Sequence, residues 1–490
     1  MILSVSARYL WLPICKAAEP VKLHFYAAGQ KFQEADVCPG TARADYYAPM
    51  DLGRFIGQEI GICGSAPEGY LEKLTFHDSP PEISDACRPQ LHFTAETGWI
   101  NDPNGLVYDH GMYHLFYQWN PYGTEWGNMH WGHAVSRDLM TWEHRGIVLE
   151  PDIYGTVYSG CGWPDRENTA GFGKDALLFY YTASGGRNQW SADAGKRHAQ
   201  RLAVSTDGGG TLEKKGLILD HITGENRDPK VFRHAESQAY IMALYLEEND
   251  FAVFRSTDLL HWTESQRFTA EGLWECPDLF ELPVENRPGE TRWVFSAANG
   301  AYLVGRFDGF RFTPEQGIRH AYDTALPYAA QTYAGTEDRK ISIAWLRTRN
   351  DRGHFRGMMS IPMELTLVRE DDFFRIRLQP VRELRNRLGE PRVLQPENQP
   401  AVIALQGKPA LVKIEWAAEH PEAIRIGDAE IHPGDHSKET MILLDHGIIE
   451  YFDRGGLAYG ATEAAETILR EEIRIPASAA RITVFEFAGS

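Results

Sequence analysis

The sequence predicts an all-β fold: a five-bladed β-propeller with a small N-terminal β-sandwich-like domain before it and a C-terminal β-sandwich after it. Helical periodicity is scarce over the 490 residues, whereas short β-branched and aromatic runs bounded by Gly, Asp, Asn and Pro recur throughout. A strand–turn–strand pattern repeats at Ala134-Val-Ser-Arg-Asp-Leu-Met-Thr-Trp142, Ala203-Val-Ser-Thr-Asp-Gly-Gly-Gly-Thr211, Phe254-Arg-Ser-Thr-Asp-Leu-Leu-His-Trp262 and Val304-Gly-Arg-Phe-Asp-Gly-Phe-Arg-Phe312, each time with an aspartate at the turn. The copies start 69, 51 and 50 residues apart, near the period of a four-stranded blade, and five such blades fit residues 89–385.

Taken in order, residues 1–85 open with Tyr9-Leu-Trp-Leu-Pro-Ile-Cys15. This apolar stretch is short, is broken by Pro13, and lacks both a basic start and a small-residue cleavage site. It therefore reads as a strand rather than an export signal, and the protein is expected in the cytoplasm. Val21-Lys-Leu-His-Phe-Tyr26 alternates as a half-buried strand does, and the segment ends in the loop His77-Asp-Ser-Pro-Pro-Glu82. Inside 89–385, Tyr113-His-Leu-Phe-Tyr117, Ala176-Leu-Leu-Phe-Tyr-Tyr-Thr182 and Ala239-Tyr-Ile-Met-Ala-Leu-Tyr245 are strands, and Arg382-Glu-Leu-Arg-Asn-Arg387 is a helix connecting this region to the second sandwich. Ala410-Leu-Val-Lys-Ile-Glu-Trp416, Met441-Ile-Leu-Leu-Asp445 and Ile448-Ile-Glu-Tyr-Phe452 supply the second sandwich, residues 395–490.

A net charge of −19 and a pI near 5.4 disfavour nucleic acid, anionic lipid and anionic substrates, so a neutral small molecule is the expected partner. No run approaches the roughly 18 apolar residues of a membrane helix. Cys15, Cys38, Cys63, Cys87, Cys161 and Cys276 are scattered without a CxxC pair and read as free thiols. The 13 Trp, 21 Tyr and 23 Phe suit ring platforms for sugars, although most such rings belong to cores.

Three acidic residues stand in unusual surroundings. Asp102 follows an aromatic run and opens a Pro-Asn-Gly turn; Asp228 sits in Arg227-Asp-Pro-Lys between two cations; Glu275 sits in Trp274-Glu-Cys-Pro among apolar neighbours that would desolvate it. Singly, each is as readily a turn cap or a surface residue. Together they lie 126 and 47 residues apart, on different blades, each where a strand starts. Innermost propeller strands converge on the axis, so these carboxyls are expected to meet in one funnel. Glycoside hydrolysis needs such a set, one carboxylate to attack the anomeric carbon and one carboxylic acid to protonate the leaving oxygen.

These residues carry a resemblance. Leu91-His-Phe-Thr-Ala-Glu-Thr-Gly-Trp-Ile-Asn-Asp-Pro-Asn-Gly105 resembles the nucleophile motif of glycoside hydrolase family 32, which contains invertases, sucrose-6-phosphate hydrolases, inulinases and levanases. Arg227-Asp-Pro resembles its transition-state motif and Glu275-Cys-Pro its acid/base motif, with Tyr113-His-Leu-Phe-Tyr-Gln-Trp-Asn-Pro121 and Trp126-Gly-Asn-Met-His-Trp-Gly-His133 between the first two. The likeness is strong over 89–385, weaker through Leu443-Leu-Asp-His-Gly-Ile-Ile-Glu-Tyr-Phe452, and loose over the first 85 residues, which are similar to an N-terminal sandwich of some bacterial fructan-hydrolysing members. It implies a retaining β-fructofuranosidase with Asp102 as nucleophile, Glu275 as acid/base and Asp228 holding fructose hydroxyls. Asn101, Gln118, Trp126, Ser159 and Arg227 would hold the terminal fructose, and Trp345 would supply a ring at the floor. Substrates would be sucrose, fructo-oligosaccharides, inulin or levan, with no cofactor and no metal; the pair His130 and His133 lacks a completing ligand. One departure is Tyr158-Ser-Gly-Cys161, where the family has Phe-Ser-Gly-Ser, so a serine hydroxyl near the sugar is expected to be missing. A fructosyltransferase and a catalytically silent sugar-binding protein are the alternatives, and the sandwiches offer surfaces for pairing with a second copy.

Overall fold

The structure, a computed structural model, describes residues 1–83, 85, 88–336, 338–349, 353–397 and 399–487, so Cys87 lies outside the described residues. Almost all regular structure is antiparallel β-sheet, and the one α-helix among the described residues is the five-residue Gln189–Asp193.

Two sheets open the chain. One runs Ile2–Ser4, Glu59–Gly64, Val21–Ala27, Gln30–Val37 in spatial order, and the other Tyr46–Asp51, Tyr9–Ile14, Thr75–His77. Alternation turns Leu10, Leu12, Leu23, Phe25, Ile60 and Ile62 into the space between them. Pro13 sits within Tyr9–Ile14, so the apolar stretch is a strand, as its sequence indicates.

Five sheets follow, each built on four antiparallel strands, and three of them carry one further short strand. Their innermost strands are Gly98–Asp109 in blade I, Thr156–Pro164 in blade II, Arg227–His234 in blade III, Asp278–Pro283 in blade IV and Pro327–Thr332 in blade V. These pack beside one another around an axis, and a parallel bridge between Val107 and Ala334 joins the last blade to the first. Blade I also gains the short parallel strand Phe355–Arg356 from the connection within blade V.

The repeated motif lies between the third and fourth strands of blades I to IV. Its aspartate recurs because the carboxylate caps the turn: Asp138 accepts the N–H groups of Met140 and Thr141, Asp207 that of Thr211, Asp258 those of Leu260 and His261, and Asp308 those of Phe310 and Arg311. Blade V lacks the signature because a two-residue turn, Asp371-Asp372, joins Met363–Glu370 to Phe373–Pro380.

Residues 382–387, expected as a connecting helix, form a 3₁₀-helix after blade V. Beyond them a six-stranded and a four-stranded sheet stack with Val412, Ile414, Ile442 and Ile482 between them, and Arg392–Leu394 already pairs within the larger sheet. This last sandwich shares a core with the propeller, since Leu443, Phe452 and Tyr459 pack in one cluster with Leu367, Leu378 and Leu384. A fully buried imidazole pins the junction. His92, just before blade I, meets Asp445 at 3.0 Å and Glu450 at 2.9 Å, while Asp445 also accepts the N–H groups of Gln90 and Leu91. The two carboxylates outweigh burial and raise the His92 imidazole to about 9.

Candidate active site

In four of the five blades the regular ladder fails along the innermost strand. Register shifts fall between Ile100 and Pro103, Val157 and Gly160, Arg227 and Lys230, and Tyr328 and Gln331, that is, in blades I, II, III and V. A bulge leaves its residues without cross-strand partners and re-aims their side chains. Asp102, Ser159 and Asp228 sit inside three of these bulges. Prolines follow Asp102 and Asp228, which suits a position that owes no ladder N–H. In blade IV the same result is reached differently: Glu275 and Cys276 both adopt the left-handed region with φ 42°, and Asp228 has φ 64°. Non-glycine residues held there cost on the order of 1–3 kcal/mol each and cluster at functional sites.

Two expectations need correction here. Asp102 opens no turn; it lies inside the strand Gly98–Asp109, where Pro103 and Asn104 resume pairing with Tyr117 and Phe116 and Gly105 enters a second register shift, at φ 54° where a Cβ would meet the Phe116 ring at 2.7 Å. Of the three carboxyl residues only Asp228 is at a strand start; Asp102 is the fifth residue of its strand and Glu275 lies in the loop before Asp278–Pro283.

The bulged tips surround one cavity of about 350 Å³, and all nine side chains singled out from the sequence line it: Asn101, Asp102, Gln118, Trp126, Ser159, Arg227, Asp228, Glu275 and Trp345. Asp102 is partly buried, with one carboxylate oxygen turned toward Ser159. Ser159 Oγ donates to its Oδ2 at 2.5 Å, and the Cys276 thiol lies 3.6 Å from the same oxygen. Burial and the neighbouring Glu275 charge push the Asp102 carboxyl up to about 6, against the pull of hydrogen bonds from Ser159, Asn101 and Cys276. Asp228 receives the Cys276 backbone N–H at 3.0 Å and its thiol at 3.4 Å, with Arg227 Nε at 3.6 Å. Burial raises it too; Arg227 opposes this, and the charges of Glu275 and Asp102 add to it.

Glu275 is not lodged among apolar side chains, as its neighbours in sequence suggest. Trp274 turns outward, 43% exposed, and the carboxylate instead accepts Arg227 Nη2 at 2.8 Å and Nε at 3.2 Å on one oxygen and the Tyr328 hydroxyl at 2.7 Å on the other. Arg227 in turn lies over the Tyr245 ring at 4.5 Å. Gln118 Nε2 is spent on the Val157 carbonyl at 2.9 Å, and Trp345 stands edge-on to Trp99 and Tyr328. Trp126, 51% exposed, marks the mouth; with Trp274 it is one of two strongly exposed tryptophans among the described residues, so most rings of this aromatic chain are core.

Cys161 does not leave a gap beside a bound sugar. It is buried between blades II and III, where its sulfur accepts the Val231 N–H at 3.0 Å, so the expected missing hydroxyl is corrected to a packing difference. Cys276 stays a thiol, because burial and the three surrounding carboxylates drive its pKa well above the usual value. His130 and His133 face different partners, Gln33 and His114. Sequence reasoning missed Tyr328, Arg187, Glu225 and Tyr158, which also line the cavity. Only Tyr158 had a local signal, its place beside Ser159.

Comparison with known proteins identifies the family. The family model described as Glycosyl hydrolases family 32 N-terminal domain matches residues 92–378. A levanase of Bacillus subtilis is 39% identical over 329 residues, 61% of this chain and 47% of its own length, and an invertase of Debaryomyces hansenii is 36% identical over 299 residues, 55% and 54% respectively. The chain thus spans about half the length of these curated relatives. The crystal structure of exo-inulinase from Aspergillus awamori superposes with a TM-score of 0.72 at 24% identity, covering 83% of this chain and 99% of that one, which shows the shared fold. The chain belongs to glycosyl hydrolase family 32.

Proposed function

We propose that this protein is a retaining β-fructofuranosidase that releases terminal β-D-fructofuranosyl units from sucrose, fructo-oligosaccharides or fructans. The observation that carries the reading is one cavity holding Asp102 and Glu275 in different settings: a carboxylate that accepts hydrogen bonds from Ser159 and Cys276, and a carboxyl gripped by Arg227 and Tyr328. Asp102 attacks the anomeric carbon of the furanoside as Glu275 gives its proton to the departing oxygen, forming a fructosyl ester on Asp102. Glu275 then takes a proton from water as that water attacks the anomeric carbon and breaks its bond to the Asp102 oxygen, which frees fructose and restores both groups. Asp228 accepts hydrogen bonds from fructose hydroxyls, contacts that tighten as the oxocarbenium-like transition state forms. Asn101, Gln118, Ser159, Arg227, Trp126 and Trp345 enclose the sugar.

The names of the relatives, levanase and invertase, support fructan and sucrose as substrates, and the acidic surface supports a neutral one. We read the catalytic unit as residues 89–385, with sandwiches at 1–85 and 395–490, and no cofactor. Free cysteines at 15, 38, 63, 161 and 276 are consistent with the reducing cytoplasm we assign to it.

The test is product analysis on sucrose, inulin and levan, with Asp102→Asn and Glu275→Gln beside the parent. Free fructose released first as the β-anomer, with turnover lower by several orders of magnitude in each folded variant, is the expected result. New oligosaccharides in place of fructose would identify a transferase, and binding without turnover in the parent a sugar-binding protein.

A further inference from the structure

The first sandwich lies against the mouth of the cavity, and one strand, Gln30–Val37, touches two separate segments of its rim. On one side the Asn128 side chain mimics a strand neighbour, accepting the Asp36 N–H and donating to the Asp36 carbonyl at 2.7 Å each, two residues from Trp126. On the other side Glu34 Oε1 accepts the backbone N–H of Gln189 at 2.8 Å, two residues from Arg187, and Lys31 Nζ sits 5.3 Å from the Trp190 ring centroid. Trp126 and Arg187 are both cavity-lining residues.

Glu34 is an odd residue to bury. Its side chain is 1% exposed, and three cationic or basic groups of its own sandwich surround it, with Lys31 at 3.1 Å, His24 at 3.2 Å and Lys22 at 3.5 Å. A buried carboxylate in a two-sheet domain is costly unless its hydrogen bonds are filled. Its partner outside the sandwich is the rim. From that contact a chain of polar links reaches the reacting groups: Arg187 pairs with Glu225, the Glu225 carbonyl accepts Arg227 Nη1 at 3.0 Å, and Arg227 holds Glu275.

We infer that Glu34 is a positioning residue that fixes the Arg187 segment of the rim and thereby sets affinity for the part of a fructan chain lying outside the innermost furanose. The inference rests on the β-fructofuranosidase reading. Loss of the anchor loosens Arg187, while Arg227 and Glu275 keep their contacts with each other, Tyr245 and Tyr328, and the bonds around Asp102 remain, so chemistry on a bound terminal fructose proceeds but the outer wall no longer holds its shape for the following units.

The test compares full-length parent and Glu34→Ala on sucrose and on an inulin-type oligosaccharide. The expected result is a rise in KM for the oligosaccharide of about tenfold, equivalent to ~1.4 kcal/mol, with kcat within about twofold and sucrose kinetics little changed. Hydrogen exchange over residues 185–196 should accelerate in the variant. Gln189→Pro provides the same test without disturbing the buried ion pairs. Position 189 is the first residue of its helix, where proline is well tolerated, and Asn188 before it is already extended at φ −125°, ψ 158°. That substitution removes the donated N–H and should reproduce the split. Equal KM values in parent and both variants, or kcat falling in step with KM on both substrates, would overturn the inference. A parent that turns over neither substrate would instead overturn the functional reading, and unchanged exchange over 185–196 would still count against the anchor.

Discussion

Replacing Asp102 with asparagine should make the protein more stable at pH 8 and leave its stability unchanged at pH 4. The reasoning starts from a carboxyl with a folded-state pKa of about 6 against an ordinary 3.8. A raised carboxyl pKa means that the folded state disfavours the charged form. Below about pH 3.8 both folded and unfolded chains carry the proton and nothing is lost; between there and pH 6 the unfolded chain ionises first, and the folded state falls behind; above pH 6 the deficit is complete. The difference between the two pKa values corresponds to about 3 kcal/mol. Asparagine keeps an oxygen for the Ser159 hydroxyl and carries no charge to desolvate, so it recovers most of this. Thermal unfolding of parent and variant from pH 4 to pH 8 is the assay. The gap in Tm should open from near zero to on the order of 5 °C for the propeller transition. A constant gap across that range, or a variant less stable than the parent at pH 8, would refute the account of Asp102 as a buried charge held at the expense of the fold.

Three further outcomes are expected. In the parent, kcat/KM should rise with pH through about 6 as Asp102 ionises in the free enzyme, and a limb near the ordinary carboxylate value of 3.8 would deny the effect of burial and Glu275. Tyr328→Phe removes a hydrogen bond to the Glu275 carboxylate, an interaction worth about 1.5–3 kcal/mol, so kcat/KM should fall roughly ten- to a hundredfold with the fold retained; unchanged kinetics would leave Tyr328 without a role at Glu275. His92, raised to about 9 in the folded state from 6.5, stabilises when protonated; that contribution of about 3 kcal/mol is complete below pH 6.5 and is lost as pH climbs through 9. His92→Gln should flatten this alkaline loss in a pH series of unfolding curves, and an equally steep loss in the variant would contradict it.

What the sequence makes legible is what is local. Asp138, Asp207, Asp258 and Asp308 announce blades because a turn is capped by its own residues, and the nine cavity side chains sit in compact motifs. The Asp102 bulge reads as a turn because Asp-Pro-Asn-Gly satisfies either backbone, and only pairing with Met112–Asn120 decides between them. The surroundings of Glu275 are misread from sequence because its chain neighbours point away, and Arg227 and Tyr328 arrive from 48 and 53 residues off. Tyr328, Arg187 and Glu225 belong to no repeated pattern; Glu225 is carried in by Arg227 two residues on, and ring closure brings Tyr328 to the cavity. Blade V follows only from counting, since its two-residue turn carries no motif.

The imidazole clasp at residue 92 also bears on the order in which the chain takes shape. Its two carboxylate partners stand 353 and 358 positions further along, so when the first blade leaves the ribosome its anchoring acids have yet to be made. The early blades must wait with an uncovered flank, and contacts of such long range form slowly. The first blade should therefore lock only once residues 445 and 450 have been made, and nascent chains halted before residue 445 should be bound by chaperones far more than the finished protein.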